Sequence, residues 1–196
     1  GYPYTSVYES VANGSNMIGT PSKPVATSTI VLSNATVMTP YFGYTGTGYS
    51  ITSTLAPGQG YWVKTTATGP NPTLFLSAPP EGQPKETPVE SEVTAMNKLT
   101  IRDAQGMEQT LYLAEESALK GGMTYEMPPS MAELTGFDAR YSSGKIVETY
   151  PAAFAKGTRY EYPVSIQTSA YPVTISWERA KGTPAEMKAA VRGQQG

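Results

Sequence analysis

Between residues 14 and 78 the chain runs as short stretches of Tyr, Phe, Trp, Val, Ile and Thr, each closed by Gly, Pro, Asn or Ser, with no apolar pattern of helical period. Runs so short bury a face only by joining a sheet, which restricts this part to an all-β sandwich or barrel. Strands are expected at 16–20, 28–33, 40–44, 49–53, 61–66 and 73–77. The segments Thr45-Gly46-Thr47-Gly48 and Pro57-Gly58-Gln59-Gly60 supply the glycines that tight turns between them require.

The second half repeats the β pattern with different composition. Strands at 99–102 and 107–113 flank the turn Asp103-Ala104-Gln105-Gly106, and a hairpin is expected from 137–141 and 145–150, turning at Ser142-Ser143-Gly144. In the run from Val173 to Glu178 apolar and polar residues alternate, which puts Val173, Ile175 and Trp177 on one face, read as core. Trp62 is likewise assigned to the core. Thr183-Pro184-Ala185-Glu186 combines an N-cap, Pro at the first helical position and Glu at the capping-box position, so a short helix is expected over 183–192.

Charge divides the chain. Only Glu9, Lys23 and Lys64 are charged in the first 80 residues, and the remaining charged side chains all follow. At the break, residues 79–88 carry four prolines and no aromatic, the composition of an extended linker. The expected organisation is an N-terminal strand or linker (1–13), a first β domain (14–78), a Pro/Glu-rich linker (79–94), a second β-sandwich-like domain (95–180) and the short helix.

Histidine and cysteine are both absent, which removes Ser-His-Asp and Cys-His nucleophile systems, imidazole acid–base catalysis and the usual zinc ligands. Glu115-Glu116 and Glu90-Ser91-Glu92 read as solvated loop charge, because no Asp-rich ligand spacing surrounds them. Neither an enzyme nor a metal or other cofactor is expected. A net charge of −2 offers no basic surface to a phosphate backbone, so nucleic acid is not an expected partner. The longest apolar runs, such as Ile30-Val31-Leu32, fall far short of the roughly 20 residues that span a bilayer, and no membrane insertion is expected.

Two sets of side chains are candidates for contact with partners. Tyr2, Tyr4 and Tyr8 alternate along residues 1–13 as a strand would place them, and such a strand is expected to add to an open sheet edge either in its own domain or in the next subunit; in the second case the three are candidate subunit contacts in head-to-tail self-association or with other surface proteins. Tyr44, Tyr49 and Tyr61 are candidate sugar contacts, since aromatic rings stack on the apolar faces of sugars. Fourteen Thr and nine Ser in the first 80 residues make O-glycosylation an expectation, and Asn13-Gly14-Ser15 and Asn34-Ala35-Thr36 are sequons.

Asn16-Met17-Ile18-Gly19-Thr20-Pro21, then Tyr41-Phe42-Gly43-Tyr44, Gly48-Tyr49 and Leu55-Ala56-Pro57-Gly58-Gln59-Gly60-Tyr61-Trp62-Val63-Lys64, resemble in order and spacing a module of large secreted proteins of Bacteroidota-like bacteria, marked by WNMIG and PGKGYWVK signatures. The resemblance covers residues 14–78 and departs from the pattern at Ser15, where the family usually has Trp. Leu99-Thr100-Ile101, Gln109-Thr110-Leu111-Tyr112, Phe137-Asp138-Ala139-Arg140 and Ala170-Tyr171-Pro172-Val173 are similar to the β domain that follows such modules. The resemblance implies export through the type IX secretion machinery to the cell surface or medium, and carries over no catalytic residue. The sorting domain usual in that family is not found in this chain. The expected function is a structural or adhesive surface module, with a carbohydrate-binding module as the alternative.

Overall fold

The computed structural model describes residues 5–78, 93–119, 122–153, 158–181 and 183. Tyr2, Tyr4, most of the expected linker (79–92) and nearly all of the expected helix (184–192) lie outside the described residues. The fold is mostly β-strand in several sheets, with a short α-helix at Ala132–Thr135 and, among the described residues, no helix long and apolar enough to cross a membrane.

In the first half, β1 (Ser6–Ser10), β10 (Thr73–Ser77) and β4 (Val31–Ser33) form a three-stranded antiparallel sheet in the order β1-β10-β4. A second sheet orders β2 (Gly14–Ile18), β9 (Tyr61–Ala67), β6 (Tyr41–Tyr44) and β7 (Tyr49–Thr52), with β5 (Ala35–Val37) also paired to β9. A third pairing joins β3 (Val25–Ala26) to β8 (Thr54–Leu55). Val63, Leu74, Leu76, Val25 and Leu55 are essentially inaccessible and form one cluster with Ile18, Tyr41 and Tyr61. Period 2 explains the choice of residues: in β9 the side chains of Tyr61, Val63 and Thr65 are buried, while those between are not. The expected strand at 28–33 is shorter, because Thr27–Thr29 takes a 3-10 turn and only Val31–Ser33 pairs.

In the second half, β11 (Asn97–Arg102) lies between β12 (Glu108–Glu115) and β16 (Thr174–Glu178), and β14 (Val147–Tyr150) adds to β12 in parallel. β13 (Phe137–Tyr141) pairs instead with β15 (Val164–Thr168). The expected hairpin of 137–141 with 145–150 therefore does not form. Its turn does, with Gly144 at φ 82 and its N–H bonded to the Tyr141 carbonyl at 2.8 Å. Adjacent Ile146 and Val147 are both buried, which a strand with one covered face cannot accommodate, and the chain there changes sheets. Ile146 bonds across to Tyr112 and Tyr125, and Glu126 bridges Lys145.

The face of Val173, Ile175 and Trp177 also differs from expectation. Val173 packs against the core, but Trp177 is half-buried and Ile175 is 37 % exposed, although its cross-strand partner Ile101 is fully buried. β16 is an edge strand: alternation marks its apolar face correctly, while burial runs out at the sheet margin.

One cluster draws on both halves. Phe42, Tyr49 and Ile51 are buried together with Val93, Met96, Ile101, Leu111, Phe137, Tyr141 and Val147, and Trp62 packs partly against them. Gln109, 3 % exposed, holds the junction: its Nε2 donates to the Tyr49 carbonyl at 2.9 Å and its Oε1 accepts the Tyr49 N–H at 2.9 Å. Beside it the Glu108 N–H donates to the Thr47 carbonyl at 3.2 Å, and any Cβ on Gly48 would overlap the Glu108 carbonyl. A salt bridge joins Lys64 to Glu126 at 2.5 Å.

Candidate functional site

The sheet β1-β10-β4 ends on the most N-terminal described strand. Residue pairs Thr5/Ala78 and Val11/Pro72 are joined by backbone hydrogen bonds of 2.8 and 3.0 Å. Antiparallel geometry alternates, so between them Val7 and Glu9 point their backbone groups at β10, while Ser6, Tyr8 and Ser10 point theirs away from it. Among the described residues β1 has no neighbour on that side, and the strand offers an open row of N–H and C=O groups.

The same register builds a surface. Leu74 and Leu76 are wholly buried on the inner face, which turns Phe75 outward between them. Tyr8 stands opposite Phe75 and Phe75 opposite Val31, so three apolar side chains make one row across the sheet. Tyr8 is 72 % and Val31 59 % exposed, and the Tyr8 and Phe75 rings stack with centroids 4.5 Å apart at 34°. Sequence reading found Tyr8 but neither Phe75 nor Val31. The available signal was the run Leu74-Phe75-Leu76, which in a strand must place an apolar group on both faces.

The three candidate sugar-contact tyrosines are not gathered on one exposed surface. Tyr61 is 3 % exposed, its hydroxyl donating to Gln59 Oε1 at 3.1 Å and accepting the Ala56 N–H at 2.7 Å. Tyr49 is buried in the cluster shared by both halves, on the other face of the sheet from Tyr61, and its hydroxyl donates to the Pro129 carbonyl at 3.0 Å. Tyr44 meets Tyr49 edge to face, centroids 5.5 Å apart, with its hydroxyl oxygen buried and without a hydrogen-bond partner among the described residues. Burial raises the Tyr49 pKa above its ordinary value, with Arg140 opposing and Asp138 and Tyr44 reinforcing the shift.

Other polar groups serve local structure. Asp103 accepts the N–H groups of Gln105 and Met107 on one carboxylate oxygen and the Thr168 hydroxyl on the other, pinning the β11–β12 turn to β15. Arg140 and Asp138 form a bidentate pair with two bonds of 2.6 Å. In the sequons, Asn13 Oδ1 accepts the Ala67 N–H and Asn34 Nδ2 donates to the Pro70 carbonyl. Among the described residues no three Asp or Glu side chains converge as a metal site would require. A cleft of about 420 Å³ is lined by Leu119, Met123, Lys145, Val147 and the carboxylates of Glu116 and Glu148. Compared with known proteins, the chain matches no family model, no curated protein and no solved structure.

Proposed function

We propose that the chain is a non-catalytic, extracellular structural or adhesive module of a bacterial surface protein, built of two β-sandwich-like units and joined to its neighbours by β-strand addition. The open edge of β1 carries this reading. Its outward backbone groups at Ser6, Tyr8 and Ser10 are the template on which a further strand adds, and neither a proline nor a bulge interrupts Ser6–Ser10. The lack of His and Cys supports a role without acid–base or nucleophilic chemistry. The likeness of residues 14–78 to modules of exported proteins supports the extracellular setting.

Tyr8 belongs to the edge itself, so as a subunit contact it would sit beside the incoming strand. Since residues 6–10 already pair with β10 in the same chain, the added strand comes to the outer side of β1. Ser10→Pro tests this, because it removes an outward N–H while leaving every bond to β10 in place. Sedimentation velocity over a concentration series should show the wild type associating and the variant remaining a single chain with an unchanged melting temperature. Equal association of the two proteins would refute assembly at this edge.

A further inference from the structure

We infer that the outward face of β1-β10-β4 is a docking surface for a neutral polysaccharide. The inference rests on the adhesive part of the reading above and names the partner. The apolar row of Tyr8, Phe75 and Val31 is flanked by hydroxyl groups alone: Ser10, Thr73 and Ser33 form the row on one side, and Ser6 and Ser77 the row on the other. No outward position of these three strands carries a charge. Glu9, the one acidic residue of β1, lies on the opposite parity, within reach of the Gly19 N–H at 3.4 Å.

Three properties select the partner. Phe75 covers one face of the Tyr8 ring, and at 72 % exposure the other face stays open to receive the C–H face of a sugar ring. The flanking Ser and Thr hydroxyls both donate and accept, matching sugar hydroxyls without demanding a counter-charge. Size separates a glycan from a protein. With five residues in β1 and in β10 and three in β4, the face is at most about 14 by 10 Å, far below the roughly 800 Å² that each partner buries in a standard protein interface. A second copy of this chain could not be held by that face alone, whereas a few sugar rings fill it.

Affinity electrophoresis in native gels tests the inference, at protein concentrations where sedimentation gives a single-chain species, so that failure to bind is distinct from failure to assemble. The gels contain a soluble neutral β-glucan, a neutral mannan, or anionic polygalacturonate. Retardation is expected with at least one neutral polymer and not with polygalacturonate. Tyr8→Ser should weaken it roughly tenfold, the scale of one lost stacking contact. Tyr8→Phe, which keeps the ring, should retain it. Circular dichroism melting of each variant separates lost binding from lost fold, and Phe75→Thr provides a second disruption of the same row. No retardation by either neutral polymer, equal retardation by polygalacturonate, or retardation unchanged in folded Tyr8→Ser and Phe75→Thr would overturn the inference. So would a concentration-dependent dimer that Phe75→Thr abolishes and Ser10→Pro leaves intact, since the face, and not the β1 edge, would then belong to a second copy.

Discussion

Gln109→Met isolates what joins the two halves of the chain. Methionine nearly matches glutamine in volume, so the substitution opens no cavity and isolates the polar term. It removes both the donor to the Tyr49 carbonyl and the acceptor of the Tyr49 N–H, and leaves these two backbone groups unpaired beside a side chain that is 3 % exposed. Each orphaned group costs about 1–3 kcal/mol, so the variant should lose about 2–6 kcal/mol. Urea unfolding measures it, with the two tryptophans reporting different places, Trp62 on β9 and Trp177 on β16. Because one buried cluster takes side chains from both halves, tryptophan fluorescence and far-ultraviolet dichroism should give coincident transitions in the wild type. Gln105→Met, on the exposed β11–β12 turn, is the control and should change stability by less than about 0.5 kcal/mol. A Gln109→Met variant as stable as that control would refute the reasoning that this amide clamps the junction.

Two further outcomes follow from burial. Trp177→Ala should cost about 1–2 kcal/mol by thermal or urea unfolding, below the 3–5 kcal/mol of a fully buried aromatic, since Trp177 is half-buried on an edge strand; a loss at the higher figure would show that its face is covered. Burial raises the pKa of Tyr41 and Tyr141 above the ordinary 10.0, and those of Tyr49, Tyr112 and Tyr162 in the same direction. Their folded forms hold the proton more tightly than the unfolded chain, so this stability is fully present below pH 10 and is lost as pH rises through the folded values, at about 1.4 kcal/mol per pH unit for Tyr41 and for Tyr141. Tyrosinate absorbance should accordingly rise in two stages, exposed rings first and buried rings together with unfolding; a single smooth titration of all tyrosines near pH 10 would contradict their burial.

Much of the strand pattern was legible because one-sided burial writes itself as period 2. The runs at 73–77 and 137–141 form strands with those limits, and the turn at Asp103 to Gly106 is held by the aspartate that suggested it. Pairing was less legible. Nothing local distinguishes a hairpin at Ser142-Ser143-Gly144 from a chain that turns there and leaves for another sheet, except that Ile146 and Val147 cannot both face one side. Depth of burial was similarly hidden at Trp177 and Tyr61, whose strands look alike until one lies at an edge and the other inside a sheet. The row of Tyr8, Phe75 and Val31 is a product of register between three distant segments, and register cannot be read from any one of them.

Assembly through the open β1 edge is tested most directly by negative-stain electron microscopy of the wild type, raised stepwise in concentration, beside Ser10→Pro. The expected result is particles that lengthen with concentration into linear arrays in the wild type alone, with single-chain particles throughout in the variant. A wild-type protein that stays a uniform single-chain particle at the highest concentration, or arrays formed equally by Ser10→Pro, would contradict the proposed role of this edge.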